Sequence, residues 1–133
     1  MFDLTLYSNG RDWKKIAEGA YAKVYEASTN LSAPQVVAVK RMLLPPSIYE
    51  RCTLHDIFTE ITCLEELRLE PCVTDLYDYG VDSECYYLVQ KRYACSLRDW
   101  RLQQKQQGKS LNENLSLYLS VYREFLKSLQ TIH

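Results

Sequence analysis

The sequence predicts an α+β fold: a five-stranded antiparallel sheet with one packed helix, followed by two further helices. Five short segments rich in β-branched and aromatic residues are bounded by turn residues. One amphipathic helical segment separates the third strand from the fourth, and two more helical segments end the chain. The predicted strands are residues 13–17, 23–27, 35–41, 73–81 and 85–90.

The first three strands lie in WKKIAEGAYAKVYEASTNLSAPQVVAVK, residues 13–40. Gly19 lies where the chain reverses, and the absence of a Cβ there lets backbone N–H groups approach a ligand closely. Lys40 follows four apolar residues, so a largely buried strand ends on an ammonium group. A partly buried cation of this kind requires an anionic partner.

The connection after the third strand predicts a helix over residues 53–69, TLHDIFTEITCLEELRL, because apolar residues recur at intervals of three and four. Thr53 with Asp56 three residues later is typical of a helix start, and Pro71 predicts its end. Pro45 and Pro46 are expected to end the third strand, because neither can donate a ladder hydrogen bond.

Glu60 lies at the edge of the apolar stripe of this helix, which favours a cationic partner. Lys40, on the preceding strand, is the candidate. The alternative is that Glu60 is one of several solvated acids, with Glu65 and Glu66.

The remaining segments predict a hairpin and two capped helices. The polar loop Asp82-Ser83-Glu84 joins the fourth and fifth strands. Ser96 begins a helix that ends near Gly108, and Asn112 begins a long one with a wide apolar face. Before all of these, the alternation of Phe2, Leu4 and Leu6 is typical of a short strand.

Composition excludes several classes of function. The 133 residues form one domain or part of one, and 16 Lys and Arg against 17 Asp and Glu give a net charge of -1. That balance predicts neither a nucleic-acid nor a membrane surface. No stretch reaches the about 18 apolar residues of a membrane helix, so we expect a cytoplasmic protein.

The cysteines and histidines predict no metal site. Five cysteines are an odd number and are never two residues apart, which favours reduced thiols. His55 and His133 lack metal-ligand spacing with any Cys or carboxylate pair.

The motif IAEGAYAKVYEA followed by VVAVK resembles the glycine-rich loop and third-strand lysine of the protein kinase family, whose loop pattern is Gly-x-Gly-x-x-Gly-x-Val. By that match Ala17, Gly19 and Ala22 stand at the three glycine positions, and Val24 stands at the valine. Lys40 stands at the lysine that holds nucleotide phosphates. Only the central glycine is kept.

The resemblance implies roles for further residues. It pairs Lys40 with Glu60 as the lysine and helix glutamate of a kinase catalytic site. Val24 and Ala38 would form an apolar roof over adenine, and Leu64 and Leu76 would stack beneath the helix. Ordinary core packing would also explain all four residues and is compatible with these roles.

The segment YYLVQKRYACSL resembles the fifth kinase strand running into the hinge. Gln90 would be the gatekeeper, and Lys91 to Tyr93 would face adenine with backbone groups. The resemblance thus implies an N-terminal extension (1–11), a small ATP-binding lobe (12–90), a hinge (91–95) and the start of a truncated large lobe (96–133).

The sequence contains neither His-Arg-Asp nor Asp-Phe-Gly, the kinase motifs that supply the catalytic base and the metal ligands. The expected ligand is therefore ATP, with Mg²⁺ in an intact homologue but no Mg²⁺ ligands in this chain. The interpretation is the ATP-binding part of a protein kinase-like domain, of Ser/Thr type by base rates, and inactive alone.

Two alternatives stay open. A non-catalytic pseudokinase module would dock a partner protein or a second copy through its apolar last helix. An unrelated α+β binding domain would remain if Lys40 and Glu60 lay far apart.

Overall fold

The computed structural model describes residues 2–44 and 51–133, and for residues 51–54 the backbone alone. The chain divides into two units between Arg92 and Tyr93. The elements of the first unit are a 3₁₀ helix (Leu4–Gly10), β1 (Lys14–Glu18), β2 (Ala22–Ser28), β3 (Val36–Leu43), α1 (Arg51–Glu66), β4 (Leu76–Val81) and β5 (Cys85–Lys91). The second unit contains α2 (Leu97–Gln106) and α3 (Leu115–Ile132).

The five strands form one sheet in the order β1-β2-β3-β5-β4, and every neighbouring pair is antiparallel. The predicted α+β fold with a five-stranded antiparallel sheet is confirmed. The fourth strand is shorter than predicted, since residues 73–75 precede β4 as a bend and coil.

Helix α1 packs on one face of the sheet, here called the α1 face. Its core is a cluster of Met42, Ile57, Ile61 and Leu88, with Leu88 completely buried. Leu76 packs against this cluster, and Leu64 is also buried. The predicted apolar stripe is therefore confirmed at Ile57, Ile61 and Leu64, whereas Phe58 of the same stripe is 55% exposed.

The bounds of α1 differ from the prediction. The helix begins at Arg51, so Thr53 is not its cap, and it ends at Glu66, well before Pro71. The chain leaves the helix through a turn in which Leu67 N–H donates to the Cys63 carbonyl at 3.0 Å. The predicted role of Pro45 and Pro46 lies outside the described residues.

The opposite face of the sheet, here called the back face, is covered by the N-terminal segment. Phe2, Leu4 and Trp13 pack on a buried cluster of that face. The members of this cluster are Tyr7, Ala27, Val37, Val39, Cys85, Tyr87 and Val89.

The strand predicted for the first residues is wrong, because they form a 3₁₀ helix. The Asp3 carboxylate accepts a hydrogen bond from Thr5 N–H at 2.9 Å and so caps the first turn. Ser8 and Asn9 adopt φ values of 58° and 51°, which are incompatible with an extended strand.

Aromatic contacts hold the N-terminal segment in place. The Phe2 ring stacks on Tyr7 at 5.6 Å and on Tyr87 at 5.0 Å between ring centroids. Trp13 Nε1 donates to the Tyr7 carbonyl at 2.7 Å. The Tyr7 hydroxyl donates to Asp78 at 3.0 Å, which joins the segment to β4.

Stability is expected to fall above about pH 10 because of Tyr7 and Tyr87. Burial, and then hydrogen bonds donated to Asp78 and Asp82, raise the pKa of each phenol above its ordinary value of 10.0. A raised folded-state pKa gives stability that is complete below the unfolded value and is lost as the pH rises toward the folded value. The measurement is the urea midpoint from pH 8 to pH 11. The control is a Tyr7→Phe/Tyr87→Phe double variant, which keeps every lysine of the wild-type chain. If the urea midpoint of this variant fell as steeply above about pH 10, the assignment to the two tyrosines would be contradicted.

In the second unit, α2 carries the predicted Ser96 cap. The Ser96 hydroxyl oxygen accepts from Asp99 N–H at 3.1 Å, and the Asp99 carboxylate accepts in return, which completes a capping box. Helix α3 begins after Asn114 rather than Asn112. Tyr118 is buried, and its ring lies 5.6 Å from Trp100 between centroids.

Among the described residues, Cys63, Cys72, Cys85 and Cys95 are free thiols. None of the helices formed by residues 2–44 and 51–133 combines the length and the apolar character needed to cross a bilayer.

Candidate functional site

The candidate site lies on the α1 face of β2, β3 and β5. Val24 is opposite Lys40, Glu26 is opposite Ala38, and Ala38 is opposite Gln90 in the strand registers. Paired residues of antiparallel strands project to the same face, so these side chains share one surface.

Lys40 and Glu60 meet at one end of this surface. Lys40 Nζ donates to both carboxylate oxygens of Glu60, at 2.7 Å and 2.8 Å. The side chains are 26% and 35% exposed, so the pair is partly shielded from water. Glu60 is therefore not one of the freely solvated acids, and the predicted contact is present.

The tight hairpin between β1 and β2 lies next to this pair. Gly19 N–H donates to the Ala22 carbonyl at 2.8 Å, which closes the turn. A Cβ added at Gly19 would meet only the Ala22 carbonyl oxygen, at 3.8 Å, so packing does not require glycine here. Ala17 is opposite Val24 beside a bulge in β1, and Tyr21 at the tip is 80% exposed.

A cavity of about 490 Å³ lies between the hairpin tip and α1. Its lining residues are Gly19, Ala20, Tyr21, Ala22, Lys40, Met42, Asp56, Ile57 and Glu60. Lys40 is the cation of this lining, and Asp56 adds a carboxylate one turn before Glu60. The cavity can accept an anionic group that shares the Lys40 ammonium with Glu60.

Val24, Ala38 and Gln90 lie on the same face but outside this cavity. The cavity therefore lies at the Lys40 end of this surface. Val24 and Ala38 offer a small apolar surface that fits a flat base, so the residues present fit ATP.

The predicted hinge residues divide between the two units. Lys91 is opposite Val37, so its side chain lies on the back face, and its N–H already donates to the Asp75 carbonyl at 3.1 Å. That N–H is not available to a base. Tyr93 begins the second unit and is 49% exposed.

Sequence analysis missed an ion pair on the same surface. Arg92 Nε donates to Glu26 Oε2 at 2.8 Å. The sequence did contain one signal. Glu26 follows Val24 by two residues, and residues two apart in a strand lie on the same face of the sheet.

Comparison with known proteins gives one informative similarity. The chain is 39% identical over 131 residues to a probable serine/threonine-protein kinase of Dictyostelium discoideum. The match covers 98% of this chain and only 5% of that protein. No family model matches the chain. The similarity therefore supports a kinase-like relationship for this chain at a coarse level.

Proposed function

We propose that this chain is the ATP-binding part of a protein kinase-like domain of the Ser/Thr type. The observation that carries the proposal is the Lys40–Glu60 pair, in which the ammonium contacts both carboxylate oxygens. The pair lies beside the Gly19 hairpin, on a surface shared with Val24 and Ala38. The Dictyostelium discoideum relative is named a probable serine/threonine-protein kinase, which supports the Ser/Thr assignment.

Each part of the surface has a task in nucleotide binding. Lys40 donates hydrogen bonds to phosphate oxygens, and Glu60 holds the ammonium in position. Val24 and Ala38 cover one side of the base, and Gly19 lets the hairpin backbone approach the phosphates. Mg²⁺, when bound with ATP in an intact kinase, offsets phosphate charge.

Phosphoryl transfer needs more than this surface. It requires a carboxylate that orients the acceptor hydroxyl and ligands that hold the metal. The 133 residues contain neither His-Arg-Asp nor Asp-Phe-Gly. We therefore expect weak ATP binding by this chain without phosphate transfer.

Lys40→Met is expected to weaken the binding of a fluorescent ATP analogue by about tenfold, because charge-assisted hydrogen bonds to phosphate are lost. The matched control is Lys23→Met. Lys23 is opposite Arg41 on the back face and pairs with Glu18 at 3.4 Å, so its loss should leave affinity unchanged.

Equal affinities of the wild-type and Lys40→Met chains would reject the proposal. The same preparations, given radiolabelled ATP and a protein acceptor, test the expected inactivity. Transfer by the wild-type chain that disappears in Lys40→Met would show that the chain is catalytic.

A second candidate function is docking by a non-catalytic pseudokinase module. Helix α3 favours it, because several of its large apolar side chains are about half exposed or more: Leu119, Tyr122, Phe125, Leu126 and Ile132. A sedimentation coefficient that rises with concentration, together with absent nucleotide binding, would favour docking. A single monomeric species that binds nucleotide would favour the first proposal.

A further inference from the structure

The ion pair between Glu26 and Arg92 is unusually sheltered for this chain. Its side chains are 35% and 25% exposed, close to the values for Lys40 and Glu60. Each of the other ion pairs within the described residues has both side chains at least 44% exposed. Two partly shielded ion pairs therefore lie on one face of the sheet.

The position of this second pair follows from the strand registers. Glu26, Ala38 and Gln90 stand in one row across β2, β3 and β5. Arg92 lies two residues beyond Gln90 along the chain, and its contact with Glu26 must pass over β3.

The two ion pairs bracket the apolar surface of Val24 and Ala38. Lys40 is opposite Val24 on one side, and Glu26 is opposite Ala38 on the other. A ligand that places phosphates at Lys40 and a base against Val24 and Ala38 would end at the Glu26–Arg92 pair.

Arg92 is also the first residue beyond β5. The strand ends at Lys91, whose N–H makes a hydrogen bond to the Asp75 carbonyl. The Glu26 contact therefore restrains the chain just where the strand ladder stops. An ion pair between residues 66 positions apart fixes this segment relative to β2.

We propose that Glu26 and Arg92 are a positioning pair that sets the base end of the nucleotide site, an inference that rests on the proposed function. The pair holds the segment after β5 against β2, so that backbone groups of this segment face the base at a fixed distance. It acts on recognition of the nucleoside and not on the phosphates.

The test compares adenosine with ATP, both measured by displacement of a fluorescent ATP analogue. Glu26→Gln and Arg92→Gln are expected to weaken both ligands by the same factor, about fivefold. Lys40→Met should weaken ATP much more than adenosine. The charge-exchanged variant Glu26→Arg/Arg92→Glu should recover most of the lost affinity. Glu65→Gln, which breaks the exposed pair with Arg68, is the matched control and should bind as the wild-type chain does.

Amide hydrogen exchange adds a readout independent of ligand. Residues 91–93 should exchange faster in Glu26→Gln than in the wild-type chain, with β1 unchanged. If ATP binding depends on Lys40 but both glutamine variants bind normally, the positioning role is wrong and the proposed function survives. If the wild-type chain binds neither ligand, the proposed function fails and the base-positioning role fails with it.

Discussion

Leu88→Ala is expected to lower the free energy of unfolding by about 3 kcal/mol. Leu88 is completely buried in β5, where it packs with Met42, Ile57 and Ile61. Truncation loses the transfer free energy of three carbon atoms and leaves a cavity between the sheet and α1. The rigid strands on both sides limit how far the cavity can collapse.

The same substitution should also weaken nucleotide binding. Leu88 is opposite Lys40 in the strand register, and Glu60 lies on α1 between Ile57 and Ile61. A helix that settles differently on the sheet moves the Glu60 carboxylate away from its 2.7 Å contact with Lys40. The stability of the fold and the geometry of the Lys40–Glu60 pair therefore both depend on the packing of α1 against Leu88.

Urea unfolding followed by circular dichroism measures the stability effect. Leu43→Ala is the matched control, because Leu43 is a leucine of the neighbouring β3 that is 70% exposed. It should cost less than about 0.5 kcal/mol. Similar losses for the two variants would contradict the assignment of the core between the sheet and α1.

The parts of the fold that sequence predicted well are those with a strong local period. The strand segments and the apolar stripe of α1 could be recognised because their side chains must alternate between a core and solvent. The same stripe placed Glu60 at its edge, where both a cationic partner and a solvated acid were possible. The family resemblance favoured Lys40, and the two side chains are in contact.

The first residues show where such reasoning fails. The alternation of Phe2, Leu4 and Leu6 fits a strand, yet Phe2 and Leu4 pack on the back face from either side of a capped 3₁₀ turn. Three apolar residues are too few to separate a strand from another conformation that buries them. The Asp3 cap favours the 3₁₀ helix, and the left-handed backbone conformations of Ser8 and Asn9 exclude a strand.

Strand parity indicates the face on which Glu26 of the Glu26–Arg92 pair lies, but it does not predict the pair itself. Its partners are 66 residues apart, and they meet only because β5 lies beside β3 and not at the end of the sheet. Strand order is a property of the whole chain. No local pattern around Glu26 or Arg92 specifies it.

Gly80 is a position at which the N-terminal segment packs closely on the sheet. A Cβ added there would lie 1.8 Å from Phe2 Cβ and 3.1 Å from Phe2 Cα. Flexible side-chain rotation cannot relieve a clash with atoms so near the backbone. The Phe2 backbone would have to move, and the ring would lose its stacking on Tyr7 and Tyr87.

Gly80→Ala is therefore expected to lower the free energy of unfolding by about 2 kcal/mol. Gly19→Ala is the matched control, since the added Cβ there meets no atom closer than 3.8 Å, and its stability should change by a few tenths of a kcal/mol at most. In a Phe2→Gly background the clashing Cβ is gone, so Gly80→Ala should add little to the cost of Phe2→Gly alone. Additive losses in this double-mutant cycle, measured by urea unfolding, would mean that Phe2 does not pack on Gly80 in solution.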